Sequence, residues 1–537
     1  MVRENIKKIL NQALISLGYA KFVQDLNIDH PDNKEHGDFS TNAAMQLAGL
    51  MKKNPMELAE LIKVEIEKQS AGRDIFSRAD VVNPGFINFI LSPKYLAESL
   101  NVILRQADKY GEINIGGNEK VLLEFISANP TGPLTIANGR GGFGGDVLAN
   151  VMAKAGYSVS REYYINDAGF QVKLLGKSIQ AAANMIAHSE ELYQGEYIKE
   201  LAEQYPAKIS KDFFSTGRKF ARIILENEIK PAVNKMGINF DNWFSEYDLH
   251  QAGEIDKTLE FLSKKELTYE KDGAIWLKTS KFGDSKDRVI RKSFAKGGEP
   301  TYVLPDIAYH KNKFERGYKK LIDIMGADHH GYVPRLKIGV KSIGFGDLEV
   351  ILTQLVKLCK GGKVLKMTKR KGNFEIMSDL IDEVGLDAVR WFFIMRDWNS
   401  HLIFDMDLAK EKSEKNPVYY VQYAHARITN ILKNAGAKIG EIKAGEHTYR
   451  DEHELNLIRE LIKFPEIIED IALRYEVHHL PYYAMDLAKT FHIFYNKCRV
   501  ISDDKKLTES RIALSGATKI VLQNILQIIG VQAPEKM

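Results

Sequence analysis

Two segments of this 537-residue sequence contain residue types suited to binding a polyphosphate. Residues 129–142 are rich in glycine and proline and follow a short apolar run at residues 121–126. A glycine turn after a strand points free backbone N–H groups and the positive end of the next helix at an anion. Residues 360–374 contain six basic residues and no acidic one. Such a segment can close over a triphosphate and stabilise the charge that develops during phosphoryl chemistry.

Each segment alone also has an ordinary explanation. The glycines can serve tight packing in an α/β crossover, and a run of lysines can be a solvated loop. The occurrence of both segments in one chain favours a nucleotide site.

The elements around these segments predict an α/β fold with a Rossmann-type parallel sheet. Apolar residues at helical spacing follow the glycine turn up to Gly156, and a second strand is expected at residues 157–165. Residues 321–326 and 348–358 are expected to add later strands to the same sheet, and residues 267–310 also have a strand pattern.

We expect three domains. A small α/β domain spans residues 1–110 and closes with a strand at residues 81–91 that is interrupted by a turn at Pro84 and Gly85. A catalytic domain spans residues 111–410, with a helical insertion at about residues 171–265. An all-α bundle spans residues 411–537, with amphipathic blocks at 417–434, 452–475, 478–500 and 507–529.

Composition excludes several classes of protein. Hydrophobic residues make up 44% and charged residues 27%, and no apolar run approaches the roughly 20 residues of a membrane span. The amino terminus lacks the apolar block of a signal peptide, so we expect a cytoplasmic protein. Cys359 and Cys498 have no partner at metal-ligand spacing, which disfavours zinc and disulfides. With a net charge of only +4, nucleic-acid binding would depend on local basic surface.

The sequence resembles the class I aminoacyl-tRNA synthetases, and among them the arginyl-tRNA synthetases. The Lys-Met-Thr-Lys of residues 366–369 is similar to the family's Lys-Met-Ser-Lys signature. Residues 129–134, 161–169 and 326–332 resemble longer segments of the arginyl enzymes. The resemblance implies a monomer that uses ATP with Mg²⁺ to attach arginine to tRNA(Arg), and activation of arginine that requires bound tRNA.

The sequence departs from the family at its other signature, His-Ile-Gly-His, where it has Thr-Ile-Ala-Asn at residues 135–138. Neither substitute can acquire the positive charge of an imidazole. Either the remaining cations and Mg²⁺ suffice, or the enzyme is slow, or it is inactive; we favour the first. The candidate catalytic residues are Thr135, Asn138, Lys366, Lys369 and Arg370. The resemblance adds these candidates for ATP contact: Pro133, Ile136, Ala137, Gly139, Asp328, His329 and Met367.

Recognition of arginine requires carboxylates and an aromatic face for its planar guanidinium group. Glu124 and Asp306 are the candidate carboxylates, and the resemblance adds Tyr302 to this pocket and Asn129 to the α-amino or carboxylate end of the substrate. For Glu124, pairing with a basic neighbour at a strand edge is an equal alternative. A zinc site at residues 328–330 is disfavoured because adjacent side chains point apart.

The resemblance also suggests where tRNA binds. Asn83, Phe86 and Asn88 are candidates for contact with the tRNA elbow, although Phe86 could equally be a core residue. Tyr420 and Tyr423 are candidates for stacking on anticodon bases, with half-core positions as the alternative. Met537, the last residue, is expected near the anticodon.

The resemblance therefore implies an arginine–tRNA ligase activity. A non-catalytic tRNA-binding paralogue that lost the histidines is the first alternative. A class I ligase for another amino acid, such as cysteine, is disfavoured because the usual zinc-binding cysteines are absent.

Overall fold

A computed structural model describes residues 1–19, 21, 26–31, 33–365, 376–442 and 444–537. Four predicted site residues, Lys366, Met367, Lys369 and Arg370, lie outside the described residues.

The amino-terminal part of the chain contains four helices and a small antiparallel sheet, against which α2 and α3 pack. Its elements are α1 (Val2–Ser16), β1 (Phe39–Thr41), α2 (Ala43–Met51), α3 (Pro55–Ser70), β2 (Phe76–Val82), β3 (Phe86–Leu91) and α4 (Pro93–Gln106). The strand order is β1-β3-β2, and the turn predicted at Pro84 and Gly85 joins β2 and β3 into an antiparallel hairpin.

The central part of the chain is built on a five-stranded parallel sheet. Its first elements are β4 (Lys120–Glu124), α5 (Ile136–Lys154), β5 (Ser158–Ile165), α6 (Gly169–Ala182), α7 (Glu196–Gln204), α8 (Phe213–Ile224), α9 (Lys230–Lys235), β6 (Asn242–Ser245), α10 (Glu246–Gln251), α11 (Glu254–Lys264), β7 (Thr268–Lys271), β8 (Ala274–Leu277) and β9 (Arg288–Arg291). It continues with α12 (Val303–Glu315), β10 (Lys320–Gly326), α13 (Val333–Ile343), β11 (Leu348–Thr353), β12 (Val356–Lys360), β13 (Lys363–Val364), α14 (Met377–Val384), α15 (Leu386–Ile394), β14 (Leu402–Asp405) and α16 (Met406–Lys410). The order β11-β10-β4-β5-β6 confirms the predicted Rossmann-type sheet and adds β6, which lies within the insertion predicted to be helical.

Two predictions about strands were wrong. Residues 348–358 form two strands, because the chain leaves the parallel sheet after Thr353 and β12 joins β13 and β14 in a second sheet. Residues from Val303 onward belong to α12, whose buried apolar residues recur at helical spacing. A short apolar segment does not distinguish a strand from a helix by periodicity alone.

The predicted glycine turn is shorter than expected, because α5 already begins at Ile136. The glycines that follow are buried inside this helix. A Cβ atom at Gly144 would lie 2.2 Å from the ring of Trp398, and one at Gly145 would lie 2.6 Å from the ring of Phe125. These glycines therefore allow close packing around the helix, which was the ordinary explanation for them.

The carboxyl-terminal part of the chain is a helix bundle, as predicted. Its helices are α17 (Pro417–Asn434), α18 (Glu452–Ile462), α19 (Phe464–Arg474), α20 (His479–Lys497) and α21 (Lys505–Ile529). Within the described residues, α21 alone is long and apolar enough to cross a membrane by length and composition. Since 83% of its most apolar window is buried inside the structure, α21 is the core helix of this bundle.

Candidate active site

A cavity of about 1890 Å³ opens at the carboxyl ends of the parallel strands. Its walls come from the ends of β4, β5 and β10, the turn before α5, the first half of α12 and residues 190–197 of the insertion. Ligands of open α/β sheets bind at this edge of the sheet.

The amino terminus of α5 faces the cavity, and two polar residues define it. Thr135 precedes the helix, and the Asn138 Oδ1 accepts hydrogen bonds from the Thr135 backbone N–H (2.9 Å) and from the Thr135 hydroxyl (3.2 Å). Both residues line the cavity. With its carbonyl oxygen engaged in this way, Asn138 keeps its NH₂ group available as a donor, beside the partial positive charge of the helix end.

The first described residues after the basic segment lie next to this turn. Ile376 forms an isolated antiparallel bridge with Thr135, and the backbone N–H of Met377 donates to the Leu134 carbonyl at 3.0 Å. The structure therefore brings the glycine turn and the first described residues after the basic segment into direct contact.

The other residues predicted to contact ATP divide into two groups. Pro133, Ala137, Asp328 and His329 line the cavity. Ile136 and Gly139 are buried and do not line it; a Cβ atom at Gly139 would lie 2.3 Å from the Met377 methyl group. The structure places these last two residues in the packing of α5.

Asp306 lies on α12 and lines the cavity. The Tyr332 hydroxyl donates a hydrogen bond to its Oδ2. Burial raises the pKa of the Asp306 carboxyl to about 6, while the Tyr332 hydrogen bond and nearby His310 oppose the rise and Glu246 adds to it. Asp306 is half-buried, and a carboxylate next to other acidic groups at a cavity wall favours binding of a cation.

The remaining predicted arginine-binding residues also line the cavity. Tyr302 is 61% exposed, and its ring packs edge-on against Tyr332 with centroids 5.3 Å apart. Asn129 is exposed in the turn after β4. Glu124 is buried, lines the cavity and forms an ion pair of 2.6 Å with Lys313, which is the alternative given for it above; its contact with arginine stays a prediction.

Glu246 is a cavity residue that the sequence did not indicate. It is the first residue of α10, directly after β6, and the side-chain amide of Asn166 lies 2.9 Å from its Oε2. The only sequence signal was an acidic residue after a short apolar segment, and that segment was not recognised as a strand of the sheet.

Among the residues that the structure describes, no group of three or more acidic, histidine or cysteine side chains is placed to hold a metal ion. Asp328 and His329 are exposed at the cavity mouth, with 3.8 Å between the His329 Nε2 and the Asp328 Oδ2.

Comparison with known proteins accounts for nearly the whole chain. The family described as "tRNA synthetases class I (R), catalytic domain" matches residues 99–430, "Arginyl tRNA synthetase N terminal domain" matches residues 4–91, and "DALR anticodon binding domain" matches residues 421–537. A protein from Bacillus subtilis named "Arginine--tRNA ligase" is 44% identical, over 100% of this chain and 99% of its own length.

The chain belongs to the arginyl-tRNA synthetase family. A second relative of the same name, from Carboxydothermus hydrogenoformans, is 42% identical over 98% of this chain and 97% of its own length. The solved arginyl-tRNA synthetase of Thermus thermophilus covers 100% of both chains with a TM-score of 0.80, and at 20% identity it supports the fold alone.

In the N-terminal region of this family member, the elbow-binding candidates have different environments. Phe86 is 37% exposed at the start of β3, so it is not a core residue. Asn88 is buried, and its Oδ1 accepts a hydrogen bond of 2.7 Å from the Ser40 hydroxyl. Asn83 lies in the hairpin turn and is exposed.

In the anticodon-binding domain, aromatic and basic side chains lie together on α17 and α20. Tyr420 and Tyr423 are half-buried, with ring centroids 5.1 and 6.1 Å from the His492 ring. The Arg427 guanidinium lies 4.7 Å from the Tyr423 ring and 5.3 Å from the Tyr495 ring. Met537 is 48% exposed at the carboxyl terminus.

Proposed function

We propose that this chain is an active arginine–tRNA ligase. ATP and arginine form arginyl-adenylate and pyrophosphate, and the terminal ribose hydroxyl of tRNA(Arg) then attacks the activated carbonyl. The observation that carries the proposal is the cavity itself, which has the donor-rich start of α5 on one wall and the Asp306 carboxyl on another. Relatives named as ligases match the chain over its full length, and no observation favours the non-catalytic alternative.

In the proposed complex, the guanidinium of arginine pairs with Asp306 and Glu246, and Tyr302 covers its planar face. A planar fork of N–H donors suits two carboxylates and an aromatic ring. Glu124, assigned to the guanidinium in the sequence analysis, is proposed here to pair with the α-ammonium group of the substrate. Asn129 contacts the same end of the substrate. This arrangement would aim the carboxylate of arginine at the start of α5.

ATP, with Mg²⁺ on its phosphates, is proposed to lie over the start of α5 and between Pro133, Ala137, Asp328 and His329. The Asn138 NH₂ group donates to a phosphate oxygen, whereas the Thr135 hydroxyl, whose hydrogen is directed at Asn138, orients that amide. The proposed site is completed by Lys366, Met367, Lys369 and Arg370. The positive charges of the two lysines and the arginine stabilise the negative charge that builds on the phosphates. Because both histidines of the family signature are missing, these three side chains would provide most of the electrostatic stabilisation of the transition state.

We infer that the three units at residues 1–110, 111–410 and 411–537 respectively bind the tRNA elbow, activate arginine and bind the anticodon. We also propose a monomer that functions in the cytoplasm. The two cysteines, Cys359 and Cys498, are both free, which suits a reducing compartment. Light scattering with and without tRNA tests the oligomeric state.

Arginine-dependent ATP–pyrophosphate exchange, measured with and without tRNA(Arg), tests the ligase proposal. We expect exchange with arginine and not with lysine or cysteine, and stronger exchange when tRNA is present. Retained tRNA binding without exchange under either condition would instead support a non-catalytic paralogue.

A further inference from the structure

A buried lysine joins two carboxylates on neighbouring strands beside the cavity. Glu124 on β4 and Asp323 on β10 are register partners in the parallel sheet. The Lys313 Nζ lies 2.6 Å from the Glu124 Oε2 and 2.9 Å from the Asp323 Oδ1, and the Lys313 side chain has no exposed surface. Lys313 is therefore the shared counter-ion of two adjacent acidic groups.

The two carboxylates need this counter-ion. Burial and the neighbouring Asp323 raise the pKa of Glu124, and the charge of Lys313 opposes that rise. Removing one member of a buried ion pair leaves the other charge uncompensated. Without Lys313, Glu124 and Asp323 would repel each other, and one of them would tend to bind a proton.

The orientation of Glu124 is fixed from two sides. Its Oε2 accepts from Lys313, and its Oε1 accepts a hydrogen bond of 2.9 Å from the Ser127 hydroxyl. Glu124 nevertheless lines the cavity. An anion that is held at both oxygens and still faces the cavity is preorganised for a positively charged group of a ligand.

The same helix connects this cluster to the other end of the pocket. His310, three residues before Lys313, has its Nε2 2.8 Å from the Asp323 Oδ2 and its Nδ1 2.7 Å from the Asp306 carbonyl. A carbonyl oxygen only accepts, so Nδ1 is a donor, and a proton must lie between His310 and Asp323. One face of α12 thus carries Asp306, His310 and Lys313, which are spaced four and three residues apart.

We propose that Lys313 is a positioning residue for arginine binding, which keeps Glu124 charged and aimed at a positive group of the substrate. The inference rests on the proposed function, since it assigns a role within the arginine site. Lys313 itself does not line the cavity and acts through Glu124.

Other groups around Lys313 also bear on its pH behaviour. The Tyr309 ring lies 4.2 Å from its Nζ, and the Tyr309 hydroxyl donates to Glu162 at 2.7 Å. Glu162 is neutralised in turn by Arg316 at 2.6 Å. The loss of Lys313 would therefore change the protonation of Glu124 and Asp323 most. The side chain of His310 faces Asp323 from the same helix.

The test is steady-state aminoacylation by the full chain with Lys313→Met and Lys313→Arg. For Lys313→Met we expect the KM for arginine to rise about tenfold or more, with the KM for ATP within about twofold of wild type, as expected for loss of roughly 1.4 kcal/mol of binding. The KM for arginine should also fall as the pH rises from 7 to 9 in Lys313→Met, and stay flat in wild type and in Lys313→Arg. Equal changes in both KM values, or no change in either, would overturn the proposal.

Two further variants keep the test decisive if Lys313→Met folds poorly. Lys311→Met is the matched control, because Lys311 lies on the same helix and pairs with Glu315; it should leave both KM values unchanged. In a Glu124→Gln background, Lys313→Met leaves no unpaired Glu124 carboxylate and should add little to the KM for arginine, whereas additive effects would contradict action through Glu124. Absence of aminoacylation by the wild type would count against the proposed function, not against this role.

Discussion

The Asn138 side chain accepts two hydrogen bonds from Thr135, one from its backbone N–H at 2.9 Å and one from its hydroxyl at 3.2 Å. These are the two positions where the family's signature has histidine. The pair caps α5 and leaves the Asn138 NH₂ group at the cavity.

We predict that Asn138→Ala lowers the kcat of arginine-dependent ATP–pyrophosphate exchange by about 100-fold, as for loss of one preorganised donor to developing charge. Thr135→Val should have a smaller effect, because it removes only the hydroxyl that orients the amide. Exchange measured at saturating arginine and ATP, in the presence of tRNA, gives the kcat.

Asn54→Ala is the matched control for this prediction. The Asn54 side chain caps α3 by accepting from the Met56 N–H at 2.9 Å, in the N-terminal domain. Asn54→Ala should lower the free energy of unfolding by about 1 kcal/mol and leave the exchange kinetics unchanged. Similar exchange kinetics in both variants would mean that Asn138 serves only as a helix cap.

Asp306→Asn should abolish efficient use of arginine. Loss of a carboxylate charge that pairs with a cationic substrate in a pocket costs about 2 kcal/mol or more, which is a rise of about 30-fold or more in the KM for arginine. The Kd for tRNA, measured by filter binding, should stay within about twofold. Asp272→Asn, in the exposed β7–β8 turn, is the charge-matched control, and an equal KM in both variants would remove Asp306 from the pocket.

The affinity for arginine should depend on pH through the same group. The pKa of Asp306 is raised to about 6, so the carboxyl is ionised above this pH and becomes protonated below it. The KM for arginine should therefore be flat above about pH 7 and rise roughly tenfold per unit below pH 6. Because the Tyr332 hydrogen bond lowers this pKa, Tyr332→Phe should raise the pH at which the KM for arginine begins to rise. If that pH is the same in wild type and Tyr332→Phe, a group other than Asp306 causes the pH dependence.

Much of the fold was predictable because its signals are local. The α17 and α21 helices match amphipathic blocks in the sequence, and β10 matches an apolar run that ends in a glycine. Residues 303–310 were predicted as strand and form a helix, because a short apolar segment fits the periodicity of a strand and that of a helix equally.

The site was predictable only where a motif marks it. Glu246 approaches Asp306 because β6 pairs with β5, which is a tertiary event without a local signal. The partner of Glu124 is 189 residues away on α12, and nothing in either segment identifies the other. The same applies to Ile376, whose contact with Thr135 depends on the folded sheet.

Arg390 should be a major determinant of stability. Its Nε donates to the Ile529 carbonyl and its Nη1 to the Met236 carbonyl, both at 2.8 Å, and its Nη2 pairs with Asp146 on α5. Arg390→Met should lower the free energy of unfolding by about 3 kcal/mol, because it leaves a buried carboxylate and two carbonyls without this partner. Urea unfolding, monitored by tryptophan fluorescence, measures this free energy of unfolding. Arg78→Met, at an exposed ion pair with Asp80, should change stability by less than about 1 kcal/mol.

The aromatic and basic surface on α17 and α20 yields a prediction for tRNA binding. Tyr423 packs against Arg427, and stacking of one unpaired base on such a ring contributes about 1–3 kcal/mol. Tyr423→Ala should therefore raise the Kd for tRNA(Arg) by about 5- to 100-fold and leave the KM for ATP unchanged. Tyr482→Ala, at the opposite end of α20 and 38% exposed, is the control and should bind tRNA normally. Equal Kd values for Tyr423→Ala and wild type would show that this surface does not contact the tRNA.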